Sequence, residues 1–130
     1  MACAIELLEA VLVPPEGNTY EARVLVDQDD RPRSYACFGH TPMTEATFDL
    51  YWMVTAPADR GKGLGARLLA AVESELSGRG ARTLRVETSS LEGKGGALRF
   101  YERLGYRLAG TIVDFYRPGD DLITLVKRLN

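Results

Sequence analysis

A chain of 130 residues with a net charge of −2 has room for one domain and gives no support to a nucleic-acid or anionic-membrane partner. Hydrophobic residues make up 45% and charged residues 26%, ordinary for a soluble globular protein that folds without staples. Two cysteines, Cys3 and Cys37, do not make a disulfide framework, and a single histidine, His40, argues against a histidine-built metal site. The expected setting is therefore a reducing cytoplasm, and the expected chemistry is metal-free. The start, Met-Ala-Cys-Ala-Ile-Glu, lacks the basic segment of a signal peptide, and no apolar run approaches the ~20 residues of a membrane span.

In chain order, Ala4 to Val11 is a short apolar helix candidate ended by Pro14 and Pro15. Tyr20 to Asp27 alternates as a strand, with Tyr20, Ala22, Val24 and Val26 on one face and Glu21 and Arg23 on the other. Gln28 to Pro32 is a polar turn, and Ser34 to Gly39 is the returning strand of a hairpin. Thr47 to Val54 is aromatic and β-branched with apolar residues on both faces, which predicts a central strand. Lys62 to Ser77 keeps helical spacing at Leu64, Leu68, Leu69, Val72 and Leu76, and Gly78 and Gly80 end it. Thr83 to Glu87 is a short strand, and Gly96 to Leu104 is a second helix stopped by Gly105. Tyr106 to Phe115 and Leu122 to Leu129 are two strands joined by the turn 117–121. The order predicts a mixed α/β sheet with one right-handed strand-helix-strand crossover.

Gly61, Gly63 and Gly65 sit where the strong strand hands over to the strong helix. Glycine allows close backbone approach and left-handed conformations. The first turn of a helix offers free N–H groups and the positive end of the dipole, which suits phosphate. Arg60 and Lys62 add charge at the same place. The plain alternative is a flexible turn with a helix start. A Walker loop does not fit, but Gly61-Lys62-Gly63-Leu64-Gly65-Ala66 does fit the dinucleotide pattern G-x-G-x-x-A, with Glu87 about 20 residues further on. Against a dinucleotide stand the five residues between strand and glycines, the antiparallel strands that come first, and the short chain.

The pattern Arg60-Gly61-Lys62-Gly63-Leu64-Gly65 together with Ala97-Leu98-Arg99-Phe100-Tyr101-Glu102-Arg103-Leu104-Gly105-Tyr106 resembles the GCN5-related N-acetyltransferase (GNAT) family. The first stretch matches R/Q-x-x-G-x-G/A and the second A-x-x-F-Y-x-x-x-G-F/Y, in the family's order and separation. The resemblance covers the chain from Tyr20 onward. It implies a single acyltransferase domain over residues 1–130, with the acyl-CoA N-acyltransferase fold. That fold is a mixed, mostly antiparallel sheet in which a parallel pair splays around the acyl-CoA site. The family fold begins with a strand and two helices that wall the acceptor site. This chain, with one short helix before Tyr20, is read as lacking the first strand and helix.

The resemblance implies transfer of an acetyl group from acetyl-coenzyme A to a primary amine, by direct attack in a ternary complex. Met53, Val54 and Thr55 would offer backbone groups to the pantetheine arm, with an N–H near Val54 polarising the thioester carbonyl. Arg60, Gly61, Lys62, Gly63, Leu64, Gly65 and Ala66 would hold the pyrophosphate. Tyr101 matches the tyrosine that protonates the departing thiolate, with packing on a helix face as its alternative. Asp49 lies where histone-acetylating members carry their catalytic carboxylate, and is expected to share a face with Thr47, Tyr51 and Met53. Its alternative is a structural acceptor. Glu45 and Glu87 are weaker base candidates. Cys37 reads as a buried inert thiol. Lys94 stands where family members often place a cofactor-contacting asparagine. The acceptor is expected to be a small-molecule or amino-terminal amine. A partner subunit, as in a homodimer, would complete a short amino-terminal wall. A coenzyme-A-binding module without turnover and a dinucleotide-binding fragment are the competing functions.

Overall fold

The computed structural model describes residues 6–12 and 20–129. Its seven strands are β1 (Glu6–Leu12), β2 (Tyr20–Val26), β3 (Pro32–His40), β4 (Thr47–Thr55), β5 (Thr83–Ser89), β6 (Arg107–Arg117) and β7 (Asp120–Arg128). Helix α1 (Leu64–Gly78) joins β4 to β5, and α2 (Gly96–Arg103) joins β5 to β6. The strands form one sheet in the order β1-β2-β3-β4-β5-β7-β6. Every neighbouring pair is antiparallel except β4 and β5. That parallel pair requires the crossover helix, and β4 is central as its doubly apolar composition predicts.

Two expectations are corrected at the amino terminus. The stretch read as a helix over Ala4 to Val11 is a strand from Glu6, paired with β2 in register from Glu6–Val26 to Leu12–Tyr20. The first strand of the fold is therefore present. A short apolar run satisfies helical and strand patterns equally, and pairing with the next strand, β2, decides between them. Residues 1–5, including the start of that reading, and Pro14 and Pro15 lie outside the described residues. No described residue ahead of α1 is in an α-helix.

One core lies under one face of the sheet. Leu64, Leu68, Leu69, Val72 and Leu76, the stripe read from the sequence, are the buried residues of α1. They pack with Ala36, Phe38, Leu50, Leu84, Val86 and Leu125 from the strands and with Tyr101 of α2. Both helices thus cover the same face. Arg23, on β2, is 2% exposed and donates from Nε to Glu75 of α1 at 2.8 Å, while Arg79 donates to both Glu21 oxygens at 2.7 and 2.8 Å. This network bolts the far strand to the crossover helix.

No described helix covers the opposite face. There Tyr35, Trp52 and Val54 stand 39%, 47% and 42% exposed. At the carboxyl-terminal side Pro118 and Gly119 turn β6 into β7, a tighter turn than the five residues expected. Gly119 has φ +82°, the left-handed value that a turn with proline ahead of it demands.

Candidate active site

The site begins as a break in the ladder between β4 and β5. Their parallel pairing runs Thr47–Thr83, Phe48–Leu84, Asp49–Arg85 and Leu50–Val86, and stops. Beyond it β4 continues to Thr55 and β5 to Ser89, so the backbone edges of both strands are released from each other.

A β-bulge sits at the same place. Cys37 pairs with Trp52 while its neighbour Phe38 pairs with Leu50, leaving Tyr51 as the extra residue on β4. Paired residues of an antiparallel ladder share a face. Ala36 and Phe38 face the core, so their partners Met53 and Leu50 do too. The bulge therefore moves Met53 to the core face, correcting the expectation that Asp49, Tyr51 and Met53 lie on one side. Tyr51 stacks edge-on against Tyr20 at 5.0 Å, on the side without helices.

Past Thr55 a short 3₁₀ turn, Pro57–Asp59, leads into the glycine loop. Gly61 and Gly63 have φ +81° and +77°, conformations that L side chains rarely adopt. Gly63 caps α1 with no side-chain hydrogen bond, and the first turn holds no acidic residue. The first N–H groups of a 15-residue helix are thus left for an external acceptor. Gly65 has ordinary helical backbone, but a Cβ there would lie 3.4 Å from Phe100 of α2, so the start of α1 lies close against α2. The turn at 28–33 is tied to this loop. Arg33 donates to Asp27 at 2.9 Å and reaches Asp59 at 3.3 Å, and Lys62 lies 3.6 Å from the other Asp59 oxygen.

Two cavities meet at the wedge. The larger, about 950 Å³, runs from Met53, Val54 and Thr55 along the loop to Ala66, with α2 as its far wall. Of the cofactor candidates Met53, Val54, Thr55, Arg60, Gly61, Gly63, Leu64, Gly65 and Ala66 line it; Lys62 does not. Arg103 and Phe100 line it too, and the α2 motif was their signal in the sequence. The smaller, about 470 Å³, is bounded by the released ends of β4 and β5 and by Tyr116 and Arg117 of β6.

Met53, Glu92 and Tyr101 line both cavities. Tyr101 is 8% exposed, and its phenol, desolvated by burial and facing the charge of Glu92, has its pKa pushed up to about 12. Its hydroxyl makes no hydrogen bond to a described residue. Its ring packs edge-on against Phe100 and Tyr106.

Asp49 lines neither cavity. Arg85 donates to it from Nε at 2.7 Å and from Nη2 at 3.2 Å, and the Thr41 hydroxyl donates at 2.8 Å. The pairing raises the Arg85 pKa further. Glu45 is held by Arg82 at 2.8 Å. Glu87, one residue past the last ladder pair, lines the smaller cavity. Cys37 is 1% exposed and burial raises its thiol pKa, which leaves little thiolate to act as a nucleophile. Lys94 adopts φ +57° in the short segment before α2. Among the described residues no group of three or more His, Cys, Asp or Glu could hold a metal ion, and no helix is long and apolar enough to cross a membrane.

A wedge between parallel strands and a glycine loop ahead of an uncapped helix start are the architecture of the GNAT family. The acetyltransferase (GNAT) domain profile matches residues 19–108, and the chain belongs to that family. It is 42% identical over 91 residues to blasticidin-S acetyltransferase of Streptomyces morookaense, a match covering 70% of this chain and 62% of that protein. The chain thus spans less than two-thirds of this relative's length. A crystal structure of a protein assigned to the GNAT family, from Desulfovibrio desulfuricans, superposes with a TM-score of 0.83 at 29% identity, covering 96% of this chain and all of that one. An aminoglycoside 6'-N-acetyltransferase solved with coenzyme A shares the fold at TM-score 0.72 and 20% identity, over 85% of this chain and 73% of its own. The family and the antiparallel strands flanking the wedge set aside a dinucleotide-binding fragment.

Proposed function

We propose that this chain moves an acetyl group from acetyl-coenzyme A to a primary amine of a small molecule by direct attack in a ternary complex. The observation that carries the reading is the junction of the two cavities at Tyr101, where a donor groove and an acceptor pocket share one wall. The donor groove fits the ligand on its own chemistry. Uncapped N–H groups and Arg60 suit a pyrophosphate, and the released β4 edge suits the amides of a pantetheine arm.

Acetyl-coenzyme A supplies the activated thioester. Backbone N–H groups of β4 near Val54 would stabilise negative charge on the carbonyl oxygen. Tyr101 would donate a hydrogen bond to the sulfur as it leaves. A phenol of pKa about 12 is a weaker acid than a free thiol of ~8.5, so hydrogen bonding rather than full proton transfer is its main contribution.

A free alkyl ammonium has a pKa near ~10.4, so only about one molecule in a thousand is neutral at pH 7.4. In this reading the proton leaves to water in the open pocket. Asp49 serves as a positioning group: it holds Arg85, its pair across the parallel ladder, and its oxygens are engaged. The small-molecule acceptor is supported by the pocket volume, about 470 Å³, within the range of small-ligand sites. It is also supported by the substrate in the name of the Streptomyces relative.

The buried free thiol of Cys37 supports a reducing, cytoplasmic setting. A homodimer is supported by β6, an edge strand exposed along its whole length, with Ile112 at 53%, Val113 at 69% and Phe115 at 53% exposure. Light scattering after size exclusion tests it, with a monomer at all concentrations counting against it.

The transfer is tested by thiol release from acetyl-coenzyme A across a panel of amines. Amine-dependent release supports it. Tight cofactor binding with no release above the amine-free blank would support a binding module instead.

A further inference from the structure

The charges around the smaller cavity are unequally satisfied. Arg117 reaches Asp120 at 3.7 Å, and Asp120 also accepts from the Ser89 hydroxyl. Glu92 accepts from the Thr88 hydroxyl at 2.7 Å. Arg85, the cation nearest along β5, is committed to Asp49. The Glu87 side chain lines the cavity, is exposed to solvent, and makes no side-chain hydrogen bond or close ion pair with a described residue, its charge being felt by Arg85 without a direct contact.

Its place in the sheet matters as much as its charge. Val86 is 3% exposed and packs in the core with the helices, so Glu87, the next residue of the strand, points to the opposite face. Tyr101 stands on the helix side. Both line one cavity, because the strands have parted there and the wedge passes between the two faces. Aromatic rings of Tyr51, Trp52 and Tyr116 complete the wall, and ring faces attract cations.

Resting on the acetyl-transfer reading, we infer that the acceptor is a compact amine bearing a second positive charge, and that Glu87 holds that second charge. The reacting amine lies toward Tyr101 on the helix side, and the spectator cation lies through the wedge against Glu87 and the aromatic wall. A monoamine of equal length leaves Glu87 unpaired. A molecule with a carboxylate at its far end places like charges together, which disfavours it.

Equilibrium binding separates this from catalysis. Calorimetric titrations with coenzyme A present would compare cadaverine, n-pentylamine and 5-aminopentanoate on the wild type, Glu87→Gln and Glu87→Asp. Cadaverine is expected to bind at least tenfold more tightly than n-pentylamine, with 5-aminopentanoate weakest. Glu87→Gln should bring cadaverine and n-pentylamine within about twofold of each other, and Glu87→Asp should retain part of the preference. Equal affinities on the wild type, no measurable cadaverine binding, or a preference that survives Glu87→Gln would overturn the assignment. Thiol release from acetyl-coenzyme A, recorded on the same samples, judges the transferase reading separately. A binding preference without release would leave Glu87's role standing and remove the transfer.

Discussion

Leu50 and Val86 form the last pair of the parallel ladder, and beyond them β4 and β5 part. The bulge at Tyr51 begins on the next residue of β4, so ladder release and face reversal occur together. The first frees backbone groups of both strands, and the second turns Met53 to the core face, where it lines both cavities.

Tyr101→Phe should lower kcat by about 10- to 100-fold, the worth of one hydrogen bond to a charged group at ~1.5–3 kcal/mol. The dissociation constant for coenzyme A should stay within about twofold. Steady-state rates and a cofactor titration check both halves. An unchanged kcat at every pH would contradict the role given to the phenol.

Arg60→Ala should do the reverse, weakening coenzyme A about tenfold while leaving saturated turnover nearly intact. Gly63→Val should weaken it further, because φ +77° costs a β-branched residue on the order of 1–2 kcal/mol or more and displaces the helix start. Titration of both variants with coenzyme A, beside thermal melts, separates lost binding from lost folding.

Asp49→Asn should act mainly through structure. It removes the charge partner of Arg85 and weakens three hydrogen bonds to a carboxylate that is 9% exposed. A loss of about 1–2 kcal/mol in urea unfolding is expected. The logarithm of kcat/KM should still rise linearly with pH toward the amine's own pKa. A Asp49→Asn loss beyond about a thousandfold in kcat, with stability intact, would make Asp49 the base.

Stability should fall in acid. Arg79 lowers the pKa of Glu21, and Arg23 lowers that of Glu75, both from 4.5. A depressed folded pKa stabilises fully above the unfolded value and is lost as pH falls through the folded one. Melting temperature should therefore hold above about pH 5 and drop below pH 4.5. Glu75→Gln should lower stability at pH 7 and flatten that drop, as thermal melts from pH 7 to pH 3 would show.

Much of the fold was legible where local pattern and tertiary demand agree. The α1 stripe is five apolar residues at helical spacing, and all five are buried. The doubly apolar β4 is the central strand. The failures share a cause, since each depends on which strand pairs with which and in what register. Glu6–Leu12 is a strand because β2 offers it an edge. The bulge at Tyr51 is set by register against β3, and no residue type announces it. The glycine loop was readable because its positive φ values restrict the residue choice. Asp49's engagement was not, because Arg85 lies 36 residues away in sequence and is brought beside it only by the parallel ladder.

Direct transfer requires donor and acceptor to be held together in one complex. Initial rates of thiol release over a grid of acetyl-coenzyme A and amine concentrations test it most directly. Intersecting double-reciprocal lines are predicted, with Cys37→Ala leaving the pattern unchanged. Parallel lines that vanish in Cys37→Ala, or no amine-dependent release at all, would contradict the account.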